Sequence, residues 1–204
     1  MELLINKVIS SVLEIIVFAI VPLVWWLVTA RKKENFFKWL GLRKIAKDNM
    51  TNVLKTSAIV ELCFIVLSVF ILYVVRNIEG LATSEFTGVG IKALPVILVY
   101  AIFNTALPEE ILFRGFLLKR TSNRFGFNIA NYVQCIIFGW MHGVMFLKYA
   151  NAFQGVIITF FTMSIAWCMG YINEKKADGS ILPGIGIHAI ANVFSGLVSA
   201  LTLI

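Results

Sequence analysis

Six stretches of mostly apolar residues alternate with short polar or basic connections along the chain, near 8–30, 56–75, 93–118, 127–147, 152–173 and 181–203. A run of ~20 apolar residues crosses a ~30 Å hydrocarbon core as a helix. Helix is imposed there, because backbone groups in lipid must bond to one another. The pattern predicts an all-α polytopic membrane bundle of about six transmembrane helices, a single membrane domain over 1–204. There is no internal repeat and no low-complexity tract, and one connection, 31–55, is long enough to hold structure of its own.

Composition agrees with this reading. The chain is 59% hydrophobic and 14% charged, with a mean hydropathy of +0.87. Soluble domains are nearer ~45–50% apolar and ~25% charged. The net charge of +7 comes from Lys and Arg beside the apolar runs, so it speaks for membrane orientation and not for nucleic acid. The 31–55 connection is the most basic, opening on Arg31-Lys32-Lys33 and closing on Lys55. Lys119, Arg120 and Arg124 follow the third run, and Lys175 and Lys176 follow the fifth. The opposite connections hold only Arg76, Lys92 and Lys148, with Lys7 near the start. The expectation is that 31–55, 119–126 and 174–180 are cytoplasmic and both termini extracytoplasmic, in what looks like a bacterial cell membrane.

Glu34–Arg43 mixes aromatic with basic residues, which suits either a short interfacial helix or a plain cytoplasmic loop. The first run exceeds the 7–15 residues of a signal-peptide core, ends on three basic residues and lacks an Ala-x-Ala site, so it reads as a span and not a cleaved leader. Cys63, Cys135 and Cys168 are scattered through apolar runs and read as small core residues, neither disulfides nor metal ligands.

The chemistry concentrates where the polarity breaks the pattern. Glu109, Glu110 and Arg114 fall within six residues of the third run. A charge at bilayer depth costs roughly 2.5–3.5 kcal/mol on insertion scales, so all three must face protein or water. Glu110 and Arg114 are four apart on one helix face and can pair. Glu109 is turned about 100° away from that pair, a candidate general base. Pro108 predicts a kink or a fresh helix start just before it.

Only two histidines occur, His142 and His188, both inside apolar runs. Asn192 shares a helix face with His188. At ~1.5 Å per residue, Glu109 lies about 15 Å from Lys119 and His188 about 18 Å from Lys176, while His142 counts to about 25 Å from Arg124. Agreement in depth requires the fourth helix to start late, to tilt, or to leave 125–128 at the surface. Gly139 and Gly143 would let the third or sixth run approach His142 closely. Asn128, Asn131 and Gln134 either line a water path or bond to neighbours. Pro183, Gly184 and Gly186 suit a helix entry or a close backbone approach. Glu14 and Glu61 are further acids in apolar runs, without a sequence partner and without a catalytic assignment.

Three motifs in order, Glu109-Glu110-x-x-x-Arg114, Phe138-x-x-x-His142 and His188-x-x-x-Asn192, on three separate helices, resemble the CAAX-protease and bacteriocin-processing (Abi) membrane family. The resemblance covers about 104–192, within a motif-bearing core of 93–203. It implies an intramembrane endopeptidase in which Glu109 and His142 activate a water, His188 and Asn192 stabilise the oxyanion, and Glu110 and Arg114 support them. It also implies a membrane-associated peptide or protein substrate, in bacterial peptide maturation or bacteriocin self-immunity. No cofactor is assured. Glu109, His142 and His188 would be three ligands of a catalytic zinc with a fourth position for water. The helix-borne His-Glu-x-x-His motif is absent, and a glutamate-activated water uses the same residues without metal, the reading preferred here. Two other functions compete: a non-catalytic binding or immunity protein with a structural polar cluster, and a proton-linked transporter, which no inverted repeat supports.

Overall fold

The computed structural model describes residues 2–76, 78 and 81–203. The chain ends Met1 and Ile204, to which the expected outside orientation applies, lie outside the described residues. Among the described residues the regular structure is all helical. Six helices among them are long and apolar enough to span a membrane. They are α1 (Glu2–Thr29), α3 (Lys47–Val75), α4 (Gly90–Phe125), α5 (Phe127–Phe146), α6 (Ala152–Lys175) and α7 (Leu182–Ala200). The short α2 (Phe36–Leu40) sits between the first two spans. The outward faces are apolar, with Leu62 64%, Trp140 65% and Phe153 70% exposed. That inside-out surface suits a lipid solvent. The chain is an integral membrane protein.

Three helices outrun the expected spans, α1 by beginning at Glu2 and not near 8. α3 begins at Lys47, not near 56, because the polar turn Lys47–Lys55 continues the helix past the apolar stretch. α4 is 36 residues long and runs two turns beyond Lys119. Gly126, at φ 80°, then reverses the chain into α5. This hairpin removes the depth conflict at His142. Glu109 precedes Gly126 by almost the same number of residues as His142 follows it, so the two come level across the turn.

Pro108 neither breaks α4 nor restarts it. The helix widens instead into π-helical turns at Tyr100–Ala106 and Ile111–Leu118, flanking the α-helical Leu107–Glu110. A π turn absorbs the donor that proline lacks and rotates the residues beyond it. Those turns aim both glutamates inward.

The Glu34–Arg43 segment forms α2, capped by the Asn35 side chain on the Phe37 amide. One face packs inward, with Trp39 and Leu40 buried against Ile111, and the other leaves Phe37 60% exposed. The three basic connections meet at one end of the bundle. Lys119 Nζ lies 2.6 Å from Glu174 and donates to the Gly179 carbonyl at 2.8 Å. Ser180 Oγ donates to the Arg43 carbonyl at 2.7 Å, and the Arg43 guanidinium reaches the Asp178 carbonyl. At the other end Lys7 pairs with Glu85 at 2.5 Å.

Gly139 and Gly143 face α6, not α4 or α7. A Cβ at Gly143 would strike the Thr159 side chain, and one at Gly139 would strike Met163. Small residues here let α5 and α6 pack at close range, while His142, about 80° round the helix from their mean direction, turns toward Glu109 of α4. The polar face of α5 bonds to α6 as well: Gln134 Nε2 donates to the Ala166 carbonyl at 3.0 Å and Asn131 Nδ2 to Trp167 at 3.1 Å. It therefore ties helices together. The three cysteines are free, but Cys63 is exposed on the lipid-facing side of α3 and is not a core residue.

Candidate active site

α4 carries Glu109 and Glu110 on consecutive positions, α5 carries His142 and α7 carries His188 and Asn192. The fold brings four of these side chains to one wall. Glu109 Oε2 is 3.9 Å from His142 Nε2 and 3.8 Å from His188 Nε2. Glu109, His142, His188 and Asn192 all line one cavity of about 530 Å³. Glu110 and Arg114 lie behind that wall and are completely buried.

The imidazole orientations follow from their second nitrogens. His142 Nδ1 is 2.8 Å from the Phe138 carbonyl, which can only accept, so Nδ1 carries the proton. His188 Nδ1 is 3.3 Å from Glu110 Oε1, and a carboxylate also only accepts. In each neutral ring the lone pair is thereby fixed on Nε2, and both Nε2 atoms turn toward Glu109. Glu109 Oε2 is itself buried without a hydrogen-bond partner. Three acceptors thus converge at separations too long for a direct hydrogen bond. Such a gap fits a donor between them, and a water molecule supplies two protons there.

Behind His188 the charges are neutralised in sequence. Arg114 Nη1 lies 2.8 Å from the same Glu110 Oε1 that meets His188. The Arg114 guanidinium stacks over the Phe138 ring at 4.5 Å, and that ring lies 4.4 Å from His142 and 6.0 Å from His188. Phe138 thus packs against the guanidinium and both imidazoles.

Asn192 Nδ2 donates to Thr105 Oγ1 at 2.7 Å, and Thr105 reaches the carbonyls of Ala101 at 3.0 Å and Tyr100 at 3.2 Å. An amide nitrogen has two N–H groups, so Asn192 keeps one for a further acceptor. Sequence reasoning missed Thr105. Its signal was its place one turn before Glu109, on the same face of α4. It also missed Asn173 on α6, whose Oδ1 accepts the Gly184 amide at 2.9 Å.

Gly184 lets α7 close onto this group. A Cβ there would stand 2.6 Å from Glu110 Oε2 and 2.7 Å from Asn173 Nδ2. Gly186, by contrast, faces open space. Of the two glycines at the helix entry, only the first makes the close approach.

One carboxylate and two imidazoles are zinc-type donors. As placed, however, no group of His, Cys, Asp and Glu among the described residues has the spacing of a metal centre. Nearest donor separations of 3.8 and 3.9 Å exceed the roughly 3.3 Å edge of a tetrahedral zinc site with ~2.0–2.1 Å bonds.

No curated protein and no solved structure matches the chain significantly. A family model does: type II CAAX prenyl endopeptidase, Rce1-like, over residues 91–194. That span begins at the head of α4 and ends just past Asn192, so it takes in each of the three motifs and the helices that carry them. The chain belongs to the Rce1-like CAAX endopeptidase family, a family of intramembrane proteases.

Proposed function

We propose that this chain is an intramembrane endopeptidase that cleaves a membrane-associated peptide or protein precursor with a water activated by Glu109 and His142. The observation that carries the reading is the convergence of Glu109 Oε2 with both Nε2 atoms on the wall of a membrane-embedded cavity. Amide hydrolysis needs a nucleophile, a proton acceptor and donors aimed at developing charge.

The residues divide that work among them. A water held between Glu109 and His142 Nε2 loses a proton to the carboxylate as its oxygen attacks the scissile carbonyl. Asn192 offers its free N–H to the oxyanion. His188 takes up a proton from solvent on Nε2 before the attack, donates a hydrogen bond from it to the oxyanion and keeps that proton through the cycle, and the Glu110 carboxylate against Nδ1 stabilises the imidazolium. The proton on Glu109 then passes to the departing amine, and the C–N bond breaks. The products are a carboxylic acid and an amine, with one water consumed.

We further propose an orientation in which the basic connections are cytoplasmic. The substrate class is a membrane-associated peptide or protein precursor, and the setting is bacterial peptide maturation or bacteriocin self-immunity. The rival reading is a non-catalytic binding or immunity protein, favoured by one observation: the buried Glu110, Arg114 and His188 group would lock α4 to α7 with no chemistry. Glu109→Gln decides between them. It preserves shape and removes the base. Loss of cleavage of a membrane peptide library by ~10²-fold or more, with unchanged thermal unfolding, supports the protease. Function retained in full by the folded variant overturns it.

A further inference from the structure

The catalytic cavity holds a second carboxylate that the hydrolytic machinery does not use. Glu14 of α1 lines the same cavity as Glu109, His142 and His188. It lies outside the matched region, on a helix that carries none of the three motifs.

The face of α1 that turns to α4 is polar at one-turn intervals. Lys7 pairs with Glu85 and sits over the Tyr100 ring at 5.3 Å. Ser10 Oγ takes a hydrogen bond from Asn104 Nδ2 at 3.4 Å, and Ser11 donates to the Lys7 carbonyl at 2.7 Å. Glu14 comes next, and Phe18 after it lines the cavity too. Each polar side chain on this face has a partner except Glu14, for which no ion pair or side-chain hydrogen bond exists among the described residues. The face is fixed toward α4 by its neighbours, so Glu14 cannot be a lipid-side residue. Its side chain is partly exposed and lines the cavity.

The electrostatics of that space are one-sided. Among the described residues, two glutamates line it and no lysine or arginine does. The rest of the wall is mainly aliphatic and aromatic. A carboxylate in such low-dielectric surroundings is stabilised by an opposite charge far more than in water. Both imidazoles on this wall turn toward Glu109, so the charge that would match Glu14 comes from whatever enters.

We infer that Glu14 is a specificity residue that binds a cationic side chain, lysine or arginine, of an otherwise apolar peptide substrate. The inference rests on the hydrolase reading for the word substrate, but not for the binding itself. The peptide would place its ammonium or guanidinium at Glu14 and a neighbouring bond at Glu109, its apolar residues filling the rest of the cavity.

The test uses the full chain in lipid nanodiscs and a series of labelled apolar peptides of membrane-spanning length. Each carries one Lys, moved stepwise along the peptide, and each has a twin with norleucine in its place. Binding is measured in the Glu109→Gln background, where cutting does not interfere. At one or two positions the Lys peptide is expected to bind about tenfold more tightly than its twin. Glu14→Gln should erase that difference, and Glu14→Lys should transfer the preference to a peptide with Glu at the same position. Equal binding of Lys and norleucine peptides at every position, or a preference that survives Glu14→Gln, overturns the inference. The charge swap guards against a variant that merely misfolds. Cleavage by the unmodified protein is scored separately. A preference that tracks Glu14 with no bond cut would sink the hydrolase and leave the recognition site. Cleavage without charge preference would do the reverse.

Discussion

His188 Nδ1 and Arg114 Nη1 share one oxygen of Glu110, at 3.3 and 2.8 Å, with the carboxylate and the guanidinium fully buried. The single carboxylate thus balances a permanent cation on its own helix and orients an imidazole on another. Breaking a buried pair from one side typically costs about 3–5 kcal/mol, because the remaining charge is stranded.

Glu110→Gln is therefore expected to lower both stability and activity. Stability should fall by about 3 kcal/mol or more, read as a drop in the thermal unfolding midpoint in detergent. Glu110→Gln with Arg114→Met should recover much of the stability, since no charge is then left unpaired. It should not recover activity, because His188 Nδ1 still lacks its carboxylate. Recovery of both would show that Glu110 only braces the helices.

Asn192 and Thr105 give a graded pair. Loss of one oxyanion donor costs on the order of 2.7–4 kcal/mol of transition-state stabilisation in a serine protease, so Asn192→Ala should reduce kcat by about 10²–10³-fold. Thr105→Val keeps the amide but removes its anchor at 2.7 Å. A smaller fall of about tenfold is expected, in line with the ~0.5–1.5 kcal/mol net worth of one hydrogen bond. Steady-state cleavage of one peptide by both variants checks the order. A Thr105→Val enzyme as impaired as Asn192→Ala would mean that the hydroxyl itself meets the substrate.

Metal removal tests the nucleophile. The proposed route takes its proton acceptor from Glu109 and needs no ion between the donors. Cleavage should persist after exhaustive chelation, and elemental analysis of the active protein should find well under one zinc per chain. Activity lost on chelation and restored by zinc alone would require Glu109, His142 and His188 to close from their present separations around an ion.

Much of this arrangement was readable from residue pattern. The six spans and the pairing of Glu110 with Arg114 follow from hydropathy and from i,i+4 spacing. The depth of His142 did not follow, because counting from Lys119 took the first basic residue as the helix end. Lysine and arginine stems allow a helix to run on past the apolar core, and α4 does so as far as Phe125. The partner of Gly139 and Gly143 was also misjudged. A small-residue pair states that some helix comes close, but not which one; the fifth span is joined to the fourth by a short turn, and takes the place. Thr105 and Asn173 were passed over because one polar residue inside an apolar span carries no partner in its own neighbourhood. Their meaning lies on other helices, at Asn192 and at the Gly184 amide.

Gly184 offers the sharpest steric test. Glu110 Oε2 and Asn173 Nδ2 would lie 2.6 and 2.7 Å from a Cβ at this position, well inside ordinary contact. Gly184→Ala must therefore push α7 away from α4 or turn the Glu110 carboxylate. Overpacking of this kind costs about 1–3 kcal/mol, and here the displaced carboxylate is the one that orients His188. The expected result is a lower unfolding midpoint together with a kcat reduced by about tenfold or more, with KM changed less because Glu110 does not line the cavity. Gly186→Ala is the control two residues along the same helix. Its Cβ meets open space, and alanine is favoured over glycine in a helix by roughly 0.5–1 kcal/mol. That variant should match or slightly exceed the parent in stability and leave the rate alone. If Gly184→Ala behaves like Gly186→Ala, the close approach of α7 to Glu110 is not what holds His188 in place.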